Sequence, residues 1–253
     1  MTAVADAGPG PAASGPAASG PAGEAAVRRA LDAVIDPELD EPITDLGFVR
    51  SVAVDGRAVE VHLRLPTSFC APNFAWLMAS DAYEAVSALP GVERVVVELD
   101  DHHDSDLINA GLAAAAGYRG TFRHEAEDSL DELRATFHRK AHTAAMERAL
   151  TALLRQDAGI DVREVRLGDL PPEASEALRR RRATVGLRLD DEAPVLVEAD
   201  GSRPAPEKAE FMLRRARSVR ISVEGNAHFC RGLLATRYPG AEHDQSIREE
   251  IAR

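Results

Sequence analysis

Between residues 58 and 65, Val59, Val61, Leu63 and Leu65 alternate with Glu60, His62 and Arg64. This two-residue period predicts a strand with one buried face and one wet face. The preceding run, Phe48 to Val54, is also β-rich and joins it through Asp55-Gly56, a dipeptide that predicts a hairpin. On either side the period lengthens to that of a helix. Val27, Ala30, Leu31 and Val34 recur at helical spacing, and Pro37 predicts the end of that helix near Ile35. Phe74, Leu77, Met78, Ala82, Ala85 and Val86 predict the inward face of a helix over Asn73–Leu89. Pro90-Gly91 breaks it, and Val92–Leu99 follows as a third strand. The order α-β-β-α-β predicts a small α+β domain with helices packed on a short sheet.

The second half is patterned differently. After an acidic, histidine-containing loop at Asp100–Asp106, a helix is expected to reach about Ala116, with Gly117 as its C-cap. Ser129-Leu130-Asp131-Glu132 reads as a capping box opening a long amphipathic helix. Leu130, Leu133, Phe137, Ala141 and Ala144 form its apolar stripe, which runs on to Leu154 before Gly159 stops it. Helices are then predicted from Pro171-Pro172 to Arg182, over Glu207–Ala216 and over Ala227–Leu234. Short strands are predicted at Val162–Leu167, Val185–Leu189, Val195–Glu198 and Val219–Val223. The expected architecture is therefore α+β: an α-β-β-α-β domain at 24–122, then a second mixed α/β unit at 125–240. Residues 1–23 are rich in Gly, Pro and Ala, with Gly10-Pro11-Ala12-Ala13-Ser14 echoed from Gly15 onward, and are expected to form a disordered tail. Residues 241–253 read as a charged tail.

Composition narrows the functional classes. A formal net charge of −12 argues against nucleic-acid or anionic-membrane binding, since both partners would repel the chain. No apolar run approaches a bilayer span, and the first residues lack the basic and apolar regions of an export signal. A cytoplasmic location with reduced thiols is expected. Two cysteines, Cys70 and Cys230, cannot make a disulfide framework. Walker loops, dinucleotide fingerprints, paired Cys-x-x-Cys and helical His-Glu-x-x-His are all missing from the sequence.

One cysteine stands out by position. Cys70 follows a predicted strand and comes just before a predicted helix, in Thr67-Ser68-Phe69-Cys70-Ala71-Pro72. Aligned backbone N–H groups at a helix start favour a thiolate, the form that binds metal or attacks an electrophile. Asp36 and Glu38 flank Pro37, either as a rigid turn or as carboxylates that tune the thiol or add to metal ligation. Thr67 is either a turn hydroxyl or a hydrogen-bond donor to the sulfur. Other candidates are weaker. His102 and His103 lie among Asp100, Asp101, Asp104 and Asp106, a set that is either a mixed N/O metal site or a solvated loop. His138 and His142 share a helix face with no third ligand signalled. Asn226, His228 and Cys230 form a small polar cluster, with Cys230 as packing or as a second thiol folded near Cys70. The arginine runs at 179–182 and 214–220 are a solvated face or a dock for an acidic protein.

Several of these residues occur together in a known order. Val34-Ile35-Asp36-Pro37-Glu38, then Ile43-Thr44-Asp45-Leu46-Gly47-Phe48-Val49, then Thr67 three before Cys70, then Pro90-Gly91-Val92 and a Val-rich strand resemble the iron–sulfur cluster assembly accessory domains of the SUF and PaaD-like family. The resemblance covers roughly residues 25–122. It implies a small α/β domain that helps assemble or deliver iron–sulfur or related iron centres. It also implies Cys70 as the metal-binding thiol and Asp36 and Glu38 as the family's acidic turn. The cofactor implied is iron or an iron–sulfur cluster, held transiently, and the partners are a client metalloprotein and other assembly proteins. One cysteine cannot hold a cluster that needs about four ligands, so dimerisation, a partner, a thiol cofactor or neighbouring side chains must complete it.

Three features depart from that pattern. Phe69-Cys70-Ala71-Pro72 replaces the family's Gly-Cys-Pro. Asp100-Asp101-His102-His103-Asp104 replaces its Trp/Pro-rich ending, and a second unit follows. The Ser-Phe-Cys-Ala-Pro-Asn-Phe form with that extension resembles the subgroup that accompanies actinobacterial soluble diiron monooxygenases of the propane type. The expected role is that of an accessory factor rather than an enzyme. Two alternatives stay open: a cysteine-dependent enzyme with Cys70 as nucleophile and His62 as the nearest base in sequence, and an adaptor that binds no metal.

Overall fold

The structure is a computed structural model that describes residues 22–122 and 130–240. Helix α1 (Glu24–Leu31) buries Val27 and Leu31. It ends earlier than Pro37 alone predicts, because the chain is already extended in β1 (Ile35–Asp36), the conformation favoured before a proline. β1 pairs antiparallel with β2 (Glu41–Pro42), matching Asp36 with Glu41. The Asp36-Pro37-Glu38 turn is thus held in a two-residue ladder.

β3 (Val49–Asp55) and β4 (Ala58–Arg64) form the predicted hairpin, with Gly56 at φ 59° in the connecting turn. β5 (Arg94–Asp100) starts two residues later than the Val-rich run suggests and lies parallel to β4, giving the order β3-β4-β5. A parallel pair needs a crossover, and α2 (Pro72–Ser87) supplies it. Its buried Ala75, Trp76, Met78, Ala79, Ala82 and Val86 join Val61, Leu63 and Leu99 of the sheet in one core. This topology places Cys70 where the chain leaves the end of β4 to enter the crossover.

α3 (Ser105–Ala113) follows β5 and packs on it, and α4 (Gly117–Phe122) packs on α3. Gly117 was expected to cap the first of these helices. Instead Ala115 (φ 49°) and Gly117 (φ 67°) both take left-handed conformations that turn the chain directly into α4. The two helices meet closely at Gly111, where an added Cβ would stand 2.0 Å from Thr121 Oγ1. Trp76 meets Phe122 edge-on at 6.2 Å, which joins this pair of helices to the crossover.

α5 (Leu130–Gln156), α6 (Pro172–Thr184) and α7 (Pro206–Arg237) build a second core. α5 is the long helix the stripe predicts; Ser129, its expected cap, lies outside the described residues. The four strands predicted in this half do not form. Residues 162–167, 185–189 and 195–198 are extended or irregular chain laid over the helices, joined by one isolated bridge between Arg166 and Pro194. Their apolar side chains, Val165, Val195 and Leu196, are buried against helices, so no ladder is needed to bury them. Val219–Val223 runs within α7, where tertiary packing overrides a weak β-propensity. The fold is α+β, with its sheet in the first half.

The two helices predicted at 207–216 and 227–234 are one. α7 has 32 residues, about 48 Å at the usual rise. Its Ala209 and Ala216 belong to the second core, and its Ala227 and Leu234 to the core around the sheet. Among the described residues no helix is long and apolar enough to cross a membrane.

Candidate functional site

Cys70 is half-buried at the mouth of the crossover, one residue before the Ala71 N-cap of α2, with Pro72 in its first turn. Thr67 Oγ1 lies 3.5 Å from Cys70 Sγ and also accepts the Phe69 N–H at 3.2 Å. The two readings of Thr67 are therefore compatible: it shapes the turn and touches the sulfur. Phe69 is 80% exposed, and its ring faces His103 at 5.7 Å.

The acidic loop clamps this turn. His102 is buried, and its Nε2 lies 2.8 Å from the Cys70 carbonyl oxygen. The Asp104 N–H donates to His102 Nδ1 at 3.1 Å, so Nδ1 is the acceptor and Nε2 carries the proton it donates. Both ring nitrogens are thereby committed, and His102 is a strut rather than a metal ligand. The His103 N–H donates to the Ser68 carbonyl at 2.9 Å. Among the described residues no group of three or more His, Cys, Asp or Glu side chains is placed to hold a metal ion.

Asp36 Oδ1 accepts the N–H groups of Glu38 and Leu39, each at 2.9 Å. That is the rigid turn predicted for Asp-Pro-Glu. Burial raises the Asp36 carboxyl to about 6 against the opposing pull of these two bonds. Asp40 pairs with Arg181 of α6 at 2.6 Å. Burial outweighs that pairing, so the Asp40 carboxyl also lies above its ordinary value.

Sequence reasoning missed how α7 closes over both turns. Asn226 Nδ2 donates to Glu38 Oε1 at 3.2 Å, and Arg231 pairs with Glu41. Arg237 donates to the Leu65 carbonyl at 3.2 Å and to Ser68 Oγ at 2.7 Å. Tyr238 donates to Asp101 Oδ2 at 3.1 Å. Arg237 and Ser68 are 169 positions apart, and nothing local in either segment signals the contact. Asn226, Cys230 and Arg237 recur at helical spacing, so Cys230 falls between the two turns, and it packs with Cys70 against the same core. Burial pushes the Cys230 thiol up to about 11, and the charges of Asp36, Cys70 and Glu38 add to it. The predicted Asn226-His228-Cys230 cluster divides: His228 is exposed, while the other two face the domain.

The remaining candidates are engaged elsewhere. His62 Nδ1 and Nε2 lie 2.9 Å from Asp100 and Glu60 carboxylate oxygens, and those bonds hold the imidazolium pKa above its ordinary value. The base required by the nucleophile alternative is thus occupied by two carboxylates. The arginine runs are largely paired within the chain: Arg179 with Asp191, Arg180 with Glu176, Arg181 with Asp40 and Arg220 with Glu147.

Fold and turn together define a class: a small α+β domain presenting a hydroxyl-supported thiol at the entry to a crossover helix. The chain belongs to the iron–sulfur cluster assembly protein family, whose model matches residues 24–99. It is similar to the iron–sulfur cluster carrier protein of Mycobacterium tuberculosis (41% identical over 78 residues, 30% of this chain and 20% of that protein). The carrier protein of Synechocystis is 38% identical over 74 residues, 29% of this chain and 20% of its own length. An uncharacterized protein of Methanocaldococcus jannaschii is 38% identical over 87 residues, 34% of this chain and 90% of its own length. The chain therefore spans about a fifth of the length of the carrier proteins it matches.

Proposed function

We propose that this protein holds an iron–sulfur or other iron centre as cargo and passes it to a client metalloprotein, with Cys70 as the thiolate that makes the bond. The observation that carries this reading is the placement of Cys70: half-buried on the family-matched segment, supported by Thr67 and fixed from behind by His102. An iron–sulfur cluster ordinarily takes about four protein ligands. Cys70 alone, or Cys70 with Cys230, leaves positions for the thiols of a recipient or of a second copy. Incomplete ligation suits a cargo that must leave.

The finer form of the proposal is maturation of a diiron monooxygenase. Its support is the Phe69-Cys70-Ala71-Pro72 form of the turn, together with the helical unit whose last helix bonds to that turn.

The test is anaerobic reconstitution of the full chain with ferrous iron and sulfide, followed by desalting and analysis of both elements. Wild type is expected to retain iron and sulfide, and Cys70→Ala to retain neither while keeping its circular dichroism. Equal retention by the two proteins would overturn a Cys70-based function. Delivery is then measured as reactivation of a metal-depleted diiron client, which Cys70→Ala is expected not to support.

A further inference from the structure

Away from the thiols, the helical unit carries two buried cationic side chains with incomplete bonding. His142, on α5, is 7% exposed and its Nε2 has no hydrogen-bond partner. Arg182, on α6, is 1% exposed. One of its nitrogens donates to the Pro194 carbonyl at 2.8 Å, while Nε and Nη1 have no partner. Buried polar atoms are nearly always paired, and an orphan costs roughly 1–3 kcal/mol. Two such groups in one small core therefore point to something that satisfies them.

His142 borders a cleft of about 430 Å³ between α5, the segment 185–199 and α7. This size lies within the usual range for small-molecule sites. One wall is apolar, built from Met146, Leu187, Val197 and Met212. The other carries Arg139, Lys140 and Arg215 against one carboxylate, Glu198, which Lys208 approaches at 3.9 Å. Three cations against one anion make the cleft positive on a chain whose formal net charge is −12. An adjoining cleft shares Lys140, Arg215 and Val219 and runs on to Glu38 and Asn226, beside the Asp36 turn.

We propose that this cleft binds a small organic acid, its aliphatic part against the apolar wall and its carboxylate on His142 Nε2–H, within the field of Arg139, Lys140 and Arg215. Burial, and then the charge of Arg182, lower the His142 pKa to about 4, so the free ring is neutral at pH 7. A neutral ring can still donate one hydrogen bond. A carboxylate beside it favours the imidazolium and must raise that pKa. The site is independent of Cys70 and of the iron reading.

The test is NMR titration of the His142 imidazole in the full chain, assigned by loss of its signal in His142→Gln. The probes are hexanoate, with hexanol and hexylamine as chain-matched controls, each taken to roughly 20 mM, enough to detect millimolar affinity. Hexanoate is expected to shift the signal saturably and to raise the His142 pKa, and hexanol to bind at least about tenfold more weakly. Arg215 is exposed, so Arg215→Glu keeps the fold and is expected to weaken hexanoate by a similar factor. Equal binding of hexanoate and hexanol, tighter binding of hexylamine, or no saturable shift with hexanoate each overturns the proposal.

Discussion

The core around the sheet and the core between α5, α6 and α7 satisfy their polar groups in opposite ways. In the first, the buried polar residues tie down turns. Asp36 holds two backbone N–H groups, and His102 holds the Cys70 carbonyl while accepting the Asp104 N–H. In the second, buried charges face one another or face nothing. Glu147, 1% exposed, meets Arg220 across the helix interface, and Arg182 keeps two nitrogens unpartnered. The first pattern fixes one geometry around a thiol. The second leaves bonding capacity unused, as a ligand site would. α7 belongs to both, and through Arg237 and Asn226 it reaches the turns that carry Cys70 and Asp36.

The largest break in this contrast is Arg220→Ala. It leaves the buried Glu147 carboxylate with only the Thr151 hydroxyl at 2.8 Å and the distant Arg217 at 3.9 Å. A loss of about 3 kcal/mol is expected, measured by urea unfolding. Trp76 is the only tryptophan and lies in the first core, so its fluorescence reports that core while far-ultraviolet dichroism reports the helices. If α7 couples the cores, the two probes share one midpoint in wild type and separate in the variant.

Asp36→Asn probes the first core and should stabilise it at neutral pH. The Asp36 carboxyl is raised from 3.8 to about 6 in the fold. Its contribution is therefore complete below pH 3.8 and is lost as pH rises through about 6. Asn keeps the acceptor oxygen without the charge, so a gain on the order of 2 kcal/mol is expected at pH 7.5 and none at pH 3.5. Chemical denaturation at the two pH values checks this, and a loss at pH 7.5 would show that Asp36 is needed ionised.

Gly111→Ala tests the close approach of α3 and α4. Its new Cβ meets Thr121 side-chain atoms at 2.0, 2.7 and 2.8 Å, and Thr121 is buried and donates to the Gly117 carbonyl at 2.8 Å. Overpacking of about 1–2 kcal/mol should lower the Trp76 midpoint.

The smallest effect is that of His62→Gln. The ring is partly exposed, so its two carboxylate partners are worth no more than a few tenths of a kcal/mol after solvent screening. Because the fold raises the His62 pKa, that contribution is full below the ordinary histidine value. It is lost as pH rises through the folded one. Proton NMR of the His62 ring gives the direction directly.

Much of the first core was legible because its signals are local. Alternation at Val59–Leu65, Asp55-Gly56 and Asp36-Pro37-Glu38 each dictate a structure within a few residues, and each formed. Thr67 and Cys70 are three positions apart, so their contact also follows from local chain geometry. The second core was less legible. Runs such as Val185–Leu189 and Val219–Val223 are apolar and β-branched, which indicates burial without deciding between ladder and helix. Their conformation depended on what α5 and α6 placed opposite them.

By itself, then, the sequence determined the hairpin, the crossover, the acidic turn and the thiol at the end of β4. Period and turn chemistry act over distances shorter than an element. Only the tertiary structure decided that one helix spans both cores, that Arg237 reaches Ser68, that His102 serves as a strut and that His142 borders a cleft with a nitrogen to spare. Those contacts join residues far apart in the chain, and their energies exist only once burial has removed water from the groups that make them.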